Sequence, residues 1–331
     1  MQNSFGKILR VTIFGASHSP QLGVVMEGVP CGIRLTPDMF AEDINRRRPN
    51  TVGTTPRRED DIPVIEGLDS DCCTTGGAVR IVFNNTNIRS TDYSHLVDHP
   101  RPSHADLVQR RKYGAEYNLA GGGIASGRMT VALVAAGVVA KQIVSEARFD
   151  CRVVQIGSEC DPARFDDIIA AAERDGDSVG GVIECRVEGV LPLRGEPFFD
   201  SVESVMSHLL FSIPAVKGVE FGDGFAGVVK RGSQRNDKIL DADGRTLSNN
   251  EGGINGGITN GNPLVVRVAI KPTSSIAREQ LTYNFACGEM QPLKIGGRHD
   301  VCIARRATVV VEAAVALALA DFELRAYEEF A

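Results

Sequence analysis

Two histidines in short turn-forming segments are the first candidates for proton transfer. His18 stands in GASHS at 15–19, and His104 in RPSHAD at 101–106. An imidazole exchanges protons near neutral pH, so either ring could act as a general acid or base. Each could also be an ordinary turn histidine that only bonds the backbone. A Ser17–His18 nucleophile pair is excluded, because neighbouring side chains of an extended segment point to opposite faces.

Arginines dominate the basic residues and are clustered. Of the 36 Lys and Arg residues 28 are Arg, with runs at 46–48, 57–58 and 110–111. Each run could be a solvated face. However, the guanidinium group matches carboxylates and phosphates with two parallel hydrogen bonds. Arginines converging on one cleft would therefore suit a ligand that carries several anionic groups.

A glycine-rich segment, GGGIASGRMT at 121–130, precedes the most apolar helix that the sequence predicts. Glycines allow close approach of the backbone to a ligand, and a helix N-terminus offers free N–H groups. Arg128 opposes the helix dipole there, which suggests that it meets a ligand charge. Near the C-terminus, Asp300 precedes a second apolar helix, in which Glu312 must be paired if it is buried.

Several classes of function are excluded or disfavoured by composition and motifs. The net charge of −6 and the pI near 5.6 disfavour a nucleic-acid binder. GDGFAG at 222–227 has the glycine spacing of the G-x-G-x-x-G dinucleotide-binding fingerprint. However, a strand-like segment follows it, where the fingerprint requires a helix. No P-loop, metal-ligating C-x-x-C, secretory signal or membrane-spanning stretch is present, so we expect a cytoplasmic protein with reduced thiols and no metal.

The predicted elements mix strands and helices without regular βαβ alternation, which favours an α+β fold. Strands are predicted within 10–33, 62–65, 79–83, 181–188, 218–230 and 264–270. Helices are predicted from an N-cap at Thr36 to about 48, and over 130–147, 164–174, 201–212 and 304–328. The helix at 130–147 is apolar on all sides, so it must be covered on all sides. We expect one domain over 1–331.

Taken in order, these segments resemble the chorismate synthase family from about Phe5 to beyond Glu312. The three signature regions are GASHSPQLGVVMEGVP at 15–30, GGGIASGRMTVALVAAGVV at 121–139 and RHDVCIARRATVVVEA at 298–313. Between them lie RRRP, RPSHAD, KYG, AVKGVEFGDGF, GGINGGITNG and KPTSS in the family's order. The resemblance implies a sandwich of central helices between antiparallel sheets. It also implies a lyase that eliminates phosphate from 5-enolpyruvylshikimate 3-phosphate, giving chorismate with reduced FMN present.

The resemblance assigns roles residue by residue. The catalytic set that it implies is His18, His104 and Asp300, with Ser17 and Ser126 assisting proton relay. Substrate anions would be held by Arg47, Arg48, Arg128 and Arg110, and Arg47 would also contact NADP. FMN would be lined by Ile124, Ala125, Ser126, Pro214, Ala215, Gly256, Lys271, Pro272, Thr273, Ser274, Ser275 and Arg298. NADPH would act indirectly as reductant, with or without a separate flavin reductase, in a homotetramer.

Some positions depart from the family pattern. The family usually has Arg-Ser where Ile124-Ala125 stands, an acidic residue for Ala16, Glu for Met129 and Asn for Pro214. Loss of an arginine near the flavin phosphate weakens that contact. The alternative to an active enzyme is a divergent paralogue that binds flavin or a phosphorylated ligand without turnover.

Overall fold

The computed structural model describes residues 3–49, 52–54, 59–86, 96–114, 120–296 and 299–330. Thirteen strands and seven α-helices are found in these ranges. The strands are β1 Ser4–Phe5, β2 Arg10–Gly15, β3 Gln21–Glu27, β4 Val64–Glu66, β5 Val79–Asn84, β6 Arg148–Ile156, β7 Gly181–Glu188, β8 Val216–Phe221, β9 Ile254–Asn255, β10 Ile258–Thr259, β11 Leu264–Ile270, β12 Gln280–Asn284 and β13 Glu289–Leu293. The helices are α1 Asp38–Arg47, α2 Asp106–Tyr113, α3 Thr130–Ile143, α4 Phe165–Arg174, α5 Val202–Ser212, α6 Gly232–Arg235 and α7 Ala304–Phe330.

Two antiparallel sheets enclose the central helices. The first has the order β1-β2-β3-β5-β4 and the second β6-β7-β11-β8, with hairpins β9–β10 and β12–β13 outside them. Helix α3 packs on the first sheet, α7 on the second, and the two helices pack against each other. The prediction of an α+β sandwich with helices between antiparallel sheets is therefore confirmed.

The small residues of α3 and α7 explain how the two helices approach so closely. Every residue of α3 from Val131 to Ala140 is buried. A Cβ added to Gly137 would lie only 2.4 Å from Cβ of Ala313, so a larger side chain has no room there. Because sheets and helices cover α3 on all sides, its apolar surface needs no solvent-exposed polar face.

Four charged side chains tie α1, α3 and α7 together, and we call them the balanced cluster: Asp43, Arg46, Lys141 and Glu312. Arg46 donates to both carboxylate oxygens of Glu312, at 2.9 and 2.6 Å, and Nζ of Lys141 lies 2.7 Å from Asp43. Lys141 also pairs with Glu312. The expectation that Glu312 is paired is therefore confirmed. The cluster contains two cations and two carboxylates, so its formal charges cancel.

Three secondary-structure predictions need correction. Helix α1 has Pro37, not Thr36, at its N-cap and no side-chain cap there. Helix α3 ends at Ile143 rather than 147, because the chain enters β6 at residue 148. The strand predicted to run to 230 ends at Phe221, since Gly222 turns with φ 57° and a 3₁₀ turn covers 224–229.

The cysteine prediction is wrong for one pair. Cys151 on β6 and Cys185 on β7 stand directly opposite each other and form a disulfide. Cross-strand neighbours of this kind bring two Cα atoms to within bridging distance, here 4.1 Å. The other six cysteines are free thiols, as expected.

Candidate functional site

A cleft of about 650 Å³ opens where loops meet the first turn of α3 and the start of α7. Its volume is typical of a site for a small molecule or cofactor. The residues that line it belong to the segments 47–49, 59–61, 101–105, 121–130, 211–217, 271–275 and 299–310. The cleft thus collects the ends of elements that are distant in sequence.

The glycine-rich loop runs between the two histidines. Gly121, Gly122 and Gly123 all have positive φ, at 60°, 87° and 56°. A Cβ on Gly121 would lie 2.3 Å from Cε1 of His18, and one on Gly122 would lie 3.5 Å from Cε1 of His104. Only glycine allows both the backbone conformation and the approach at Gly121. The loop therefore brings bare backbone against both imidazoles.

Arg47 ends α1 and is buried at the floor of the cleft. Its Nε donates to Oγ1 of Thr130 at 2.9 Å, and its Nη2 donates to the carbonyl of Gly127 at 2.8 Å. Burial, together with the charges of Arg306 and Arg128, lowers the pKa of Arg47 to about 9. The side chain still carries its charge at neutral pH.

Arg128 and Asp61 complete a group with Arg47 that we call the cleft cluster. Nη1 of Arg128 lies 2.6 Å from Oδ1 of Asp61, and its Nε donates to Oδ1 of Asn85 at 3.0 Å. The second oxygen of Asp61 is 3.7 Å from Nη1 of Arg47. Nη2 of Arg128 is buried and has no hydrogen-bond partner among the described residues. Two cations thus share one carboxylate, and one guanidinium nitrogen is left for a ligand.

His104 is held by a buried ion pair. Its Nδ1 lies 2.6 Å from Oδ1 of Asp106, and Arg101 donates to both oxygens of that carboxylate, at 2.7 and 2.8 Å. Arg101 also donates to Oγ of Ser275 at 2.9 Å. Burial alone would raise the pKa of Asp106, but hydrogen bonds from Arg101 and His104 outweigh it and hold the pKa well below its usual range. A carboxylate on Nδ1 leaves Nε2 as the nitrogen for proton exchange.

The 271–275 loop is joined to the His104 turn by hydrogen bonds. Nζ of Lys271 donates to the carbonyl of Ser103 at 2.7 Å and to Oγ of Ser274 at 2.9 Å. Burial and the charge of Lys217 lower the pKa of Lys271. Oγ1 of Thr273 is buried without a hydrogen-bond partner among the described residues. This loop therefore offers positive charge and an unused hydroxyl to the cleft.

Asp300 lies at the opposite wall, just before α7. It accepts two hydrogen bonds from Nη1 of Arg306, at 3.1 and 3.0 Å, and Nε of Arg306 donates to the carbonyl of Arg47. Burial is the main cause of a lowered pKa at His299, to which the positive charge of Arg101 adds. Arg306 thus links Asp300 to the end of α1.

Cationic side chains outnumber carboxylates on the described wall of the cleft. The cations are Arg47, Arg48, Arg101, Arg128, Lys217, Lys271 and Arg306. The carboxylates are Glu59, Asp61 and Asp300. An excess of charge in a partly enclosed cleft attracts ligands of the opposite charge. The arrangement suits a ligand, or a pair of ligands, with several anionic groups.

Most of the predicted site residues converge on the cleft. Those in its lining are Arg47, Arg48, His104, Ile124, Ala125, Ser126, Arg128, Pro214, Ala215, Lys271, Pro272, Thr273, Ser274, Ser275 and Asp300. Ser17 and His18 are not in the described lining, but both side chains lie next to Gly121, which is. Arg298 falls outside the described residues.

Two further predicted residues, Arg110 and Gly256, lie away from the cleft lining. Arg110 turns to the other side of α2, where it pairs with Asp98 at 2.9 Å and with the carbonyl of Val97. Its neighbour Gln109 is buried instead. Because the side chains of this run are all polar, the sequence does not indicate which of them faces the protein interior. Gly256 occupies the turn between β9 and β10, and apart from its chain neighbours no described residue has an atom within 4 Å of where its Cβ would be.

Sequence reasoning missed several residues of the site. Arg101 and Asp106 stand in the RPSHAD segment, where an acid two residues after a histidine could have been recognised as its partner. Lys217 and Arg306 lie in the quoted segments AVKGVEFGDGF and RHDVCIARRATVVVEA, but no neighbouring residue indicates what they contact. Asp61 lies in none of the quoted segments. Among the described residues, no group of three His, Cys, Asp or Glu side chains is placed to hold a metal ion, and no helix is suited to crossing a bilayer.

Comparison with known proteins assigns the chain to a family. The chorismate synthase family model matches residues 9–324. A chorismate synthase of Chitinophaga pinensis is 50% identical over 323 residues, covering 97% of this chain and 96% of the relative. One from Synechococcus sp. strain WH7803 is 41% identical, covering 98% of each chain. A crystal structure of chorismate synthase matches with a TM-score of 0.73 at 24% identity, covering 98% of each chain, which supports the fold. The chain belongs to the chorismate synthase family, whose members are carbon–oxygen lyases.

Proposed function

We propose that the chain removes phosphate from 5-enolpyruvylshikimate 3-phosphate to form chorismate, with reduced FMN required. The observation that carries the proposal is the excess of cations in a cleft that two imidazoles approach. The substrate has two carboxylates and a phosphate, so it needs several cationic partners. In the elimination, the carbon–oxygen bond to phosphate and one ring carbon–hydrogen bond break, with no net oxidation.

Arg47, Arg48 and Arg128 are proposed to bind the substrate's anionic groups. Nη2 of Arg128, which is buried and has no hydrogen-bond partner in the described part of the chain, favours this role, because such a donor is costly until a ligand supplies an acceptor. Most donors of Arg47 are used within the chain, so Arg47 provides charge and orients the first turn of α3. Arg110 is excluded from the proposed set by its position on α2.

Residues at 124–126, 214–215 and 271–275 are proposed to hold FMN. The fit is supported by the charges of Lys271 and Lys217 and by the hydroxyl of Thr273, which has no hydrogen-bond partner among the described residues. Reduced flavin supplies electron density that assists departure of the phosphate. The protein's part is to bind, orient and exclude water. Ile124 and Ala125 contribute neither charge nor hydroxyl, so the remaining residues must hold the phosphate end.

His18, His104 and Asp300 are proposed to move the protons, with Ser17 and Ser126 assisting. His18 would protonate or hydrogen-bond the leaving phosphate, and Gly121 leaves its ring close to the cleft. His104, whose Nδ1 is fixed by Asp106, would supply a proton from Nε2 to the pyrimidine end of the reduced flavin. Asp300 would help to remove the ring hydrogen, with its orientation set by Arg306.

An anaerobic assay with photoreduced FMN tests the proposal. We expect absorbance of chorismate to appear with the substrate, and no product with oxidised FMN. Repeating the assay with NADPH in place of photoreduction shows whether a separate flavin reductase is needed. FMN binding without any product would instead identify a paralogue that binds the ligands without turnover.

We also propose a cytoplasmic homotetramer, and light scattering of the purified protein tests the tetrameric state.

A further inference from the structure

Asp61 is the buried carboxylate at the centre of the cleft cluster. Its side chain is 3% exposed, and its two oxygens face Arg128 at 2.6 Å and Arg47 at 3.7 Å. It also lines the cleft itself, so a bound anion would face the same two guanidinium groups. No role was predicted for this residue.

The backbone at Asp61 shows that its position is specified. Its φ is 46°, in the left-handed region that few residues other than glycine adopt. Aspartate and asparagine tolerate this region better than other residues. The neighbouring β4 begins only at Val64, so no strand pairing fixes residue 61. Among the described residues, the ion pairs of its carboxylate with Arg128 and Arg47 hold it in this position.

We propose that Asp61 is a positioning residue that acts as an internal counter-anion. It aims the guanidinium of Arg128 so that Nη2 points to the ligand, and it weakens the hold of the two arginines on that ligand. Without Asp61, Arg47 and Arg128 would form a buried cation pair that retains any small anion. With it, a phosphate group binds against a partly neutralised pair and can leave again. The inference rests on the proposed function only in taking the cleft to receive a phosphate-bearing ligand.

The direction in which anion affinity changes when the Asp61 carboxylate is removed distinguishes a counter-anion from a purely structural residue. Removing a buried carboxylate that only stabilises the fold would leave anion affinity unchanged or lower. Removing a counter-anion within 4 Å of two cations must increase the attraction between those cations and a ligand. Asp61→Asn is the suitable change, because asparagine keeps the shape of the side chain and accepts the left-handed backbone.

The experiment is calorimetric titration of the full chain with inorganic phosphate, without substrate or FMN. We expect Asp61→Asn to bind phosphate about tenfold more tightly than the unchanged chain. Asp61→Glu, which keeps the charge, should stay within about threefold of the unchanged chain. Asp43→Asn is the matched control: Asp43 is also buried and paired with two cations, but it lies in the balanced cluster, outside the cleft lining. Its phosphate affinity should not change.

Equal or weaker phosphate binding by Asp61→Asn, or no binding by any form, would overturn the inference. If Asp61→Asn does not fold, the double variant Asp61→Asn/Arg128→Gln removes one charge of each sign and is expected to fold. It is compared with Arg128→Gln alone and should bind phosphate more tightly, because removal of Asp61 leaves the charge of Arg47, 3.7 Å away, without its counter-anion. Equal or weaker binding would overturn the inference. Because the titration measures phosphate alone, it stays informative if the enzymatic assay shows no chorismate.

Discussion

Arg46 and Arg47 are neighbours in α1, yet they belong to two clusters with opposite electrostatics. In the balanced cluster, hydrogen bonds and charge from Glu312, with Asp43 adding to them, raise the pKa of Arg46. In the cleft cluster, burial and the charges of Arg306 and Arg128 lower the pKa of Arg47. Two consecutive residues of α1 thus differ: the charge of Arg46 is matched by carboxylates, whereas that of Arg47 is in excess.

The difference shows how the chain separates stability from binding. A buried ion pair with all partners present costs little to keep, and breaking it leaves an uncompensated charge. An excess cation destabilises the empty protein and is favourable only when a ligand brings the missing charge. Changes in the balanced cluster should therefore act on unfolding, and changes in the cleft cluster on binding and turnover.

The largest effect is expected for Arg128→Gln. Loss of a guanidinium that meets a substrate anion should lower kcat/KM by about 10³-fold, or about 4 kcal/mol. The free energy of unfolding should change far less, because Asp61 keeps Arg47 nearby. Anaerobic initial rates and thermal unfolding of the same preparation provide the two measurements. A variant that loses stability and keeps its kcat/KM would contradict the assignment of the cleft cluster to binding.

Glu312→Gln is the complementary change in the balanced cluster. It leaves Arg46 and Lys141 with Asp43 as their only described carboxylate partner. We expect a loss of about 3 kcal/mol in the free energy of unfolding, measured in urea. Below the unfolding transition, kcat/KM should stay within about twofold of the unchanged chain, since Glu312 is outside the cleft lining. A large kinetic loss in folded protein would mean that α1 transmits the change to Arg47.

The two clusters also show which features could be predicted from the sequence and which could not. The helix that begins at Thr130 was predictable because residues 131–140 are all apolar, and pairing of Glu312 was predictable because a buried carboxylate needs a partner. The identity of its partners was not, since Arg46 and Lys141 lie 266 and 171 residues away. The strand at 216–221 was predicted too long because its end depends on contact between Gly222 and Asn250.

The same limit applies to the site. His104 was found because histidine is rare in this chain and its segment matches a family motif. The direction of each arginine was beyond prediction: Arg47 and Arg110 stand in similar basic runs, but only Arg47 enters the cleft. Asp61 remained unnoticed because its neighbours in sequence are also acidic, and its function depends on two arginines on other elements.

Asp106→Asn tests whether the ion pairs of Asp106 with Arg101 and His104 contribute to catalysis as well as to stability. Without the carboxylate on Nδ1, His104 loses its fixed tautomer, and kcat should fall by about 10²-fold. ¹⁵N NMR of the His104 ring should report the change of tautomer directly. A ring that keeps its tautomer while kcat falls would contradict the positioning role.

The stability of the same variant should depend on pH. The pKa of Asp106 is lowered in the folded state, so its ion pair stabilises the protein above the unfolded aspartate value of about 4. That contribution is lost as the pH falls through the lower, folded pKa. The difference in unfolding free energy between the unchanged chain and Asp106→Asn should therefore be full at pH 6 and shrink below pH 4.

The smallest effect is expected for Ile124→Arg, which adds a cation to a cleft that already has an excess. Ile124 is half-buried at the cleft wall, where the family usually has arginine. A partly solvated charge contributes about 1 kcal/mol or less, so the Kd for FMN should fall by about fivefold at most. Ala125→Ser, which restores only a hydroxyl, is the neutral control. Measured by flavin fluorescence at two salt concentrations, the gain of Ile124→Arg should diminish at high salt, whereas that of Ala125→Ser should not. An unchanged Kd for Ile124→Arg would show that the anionic end of the flavin lies away from residue 124, and that Lys271 and Lys217 hold it without help from the glycine-rich loop.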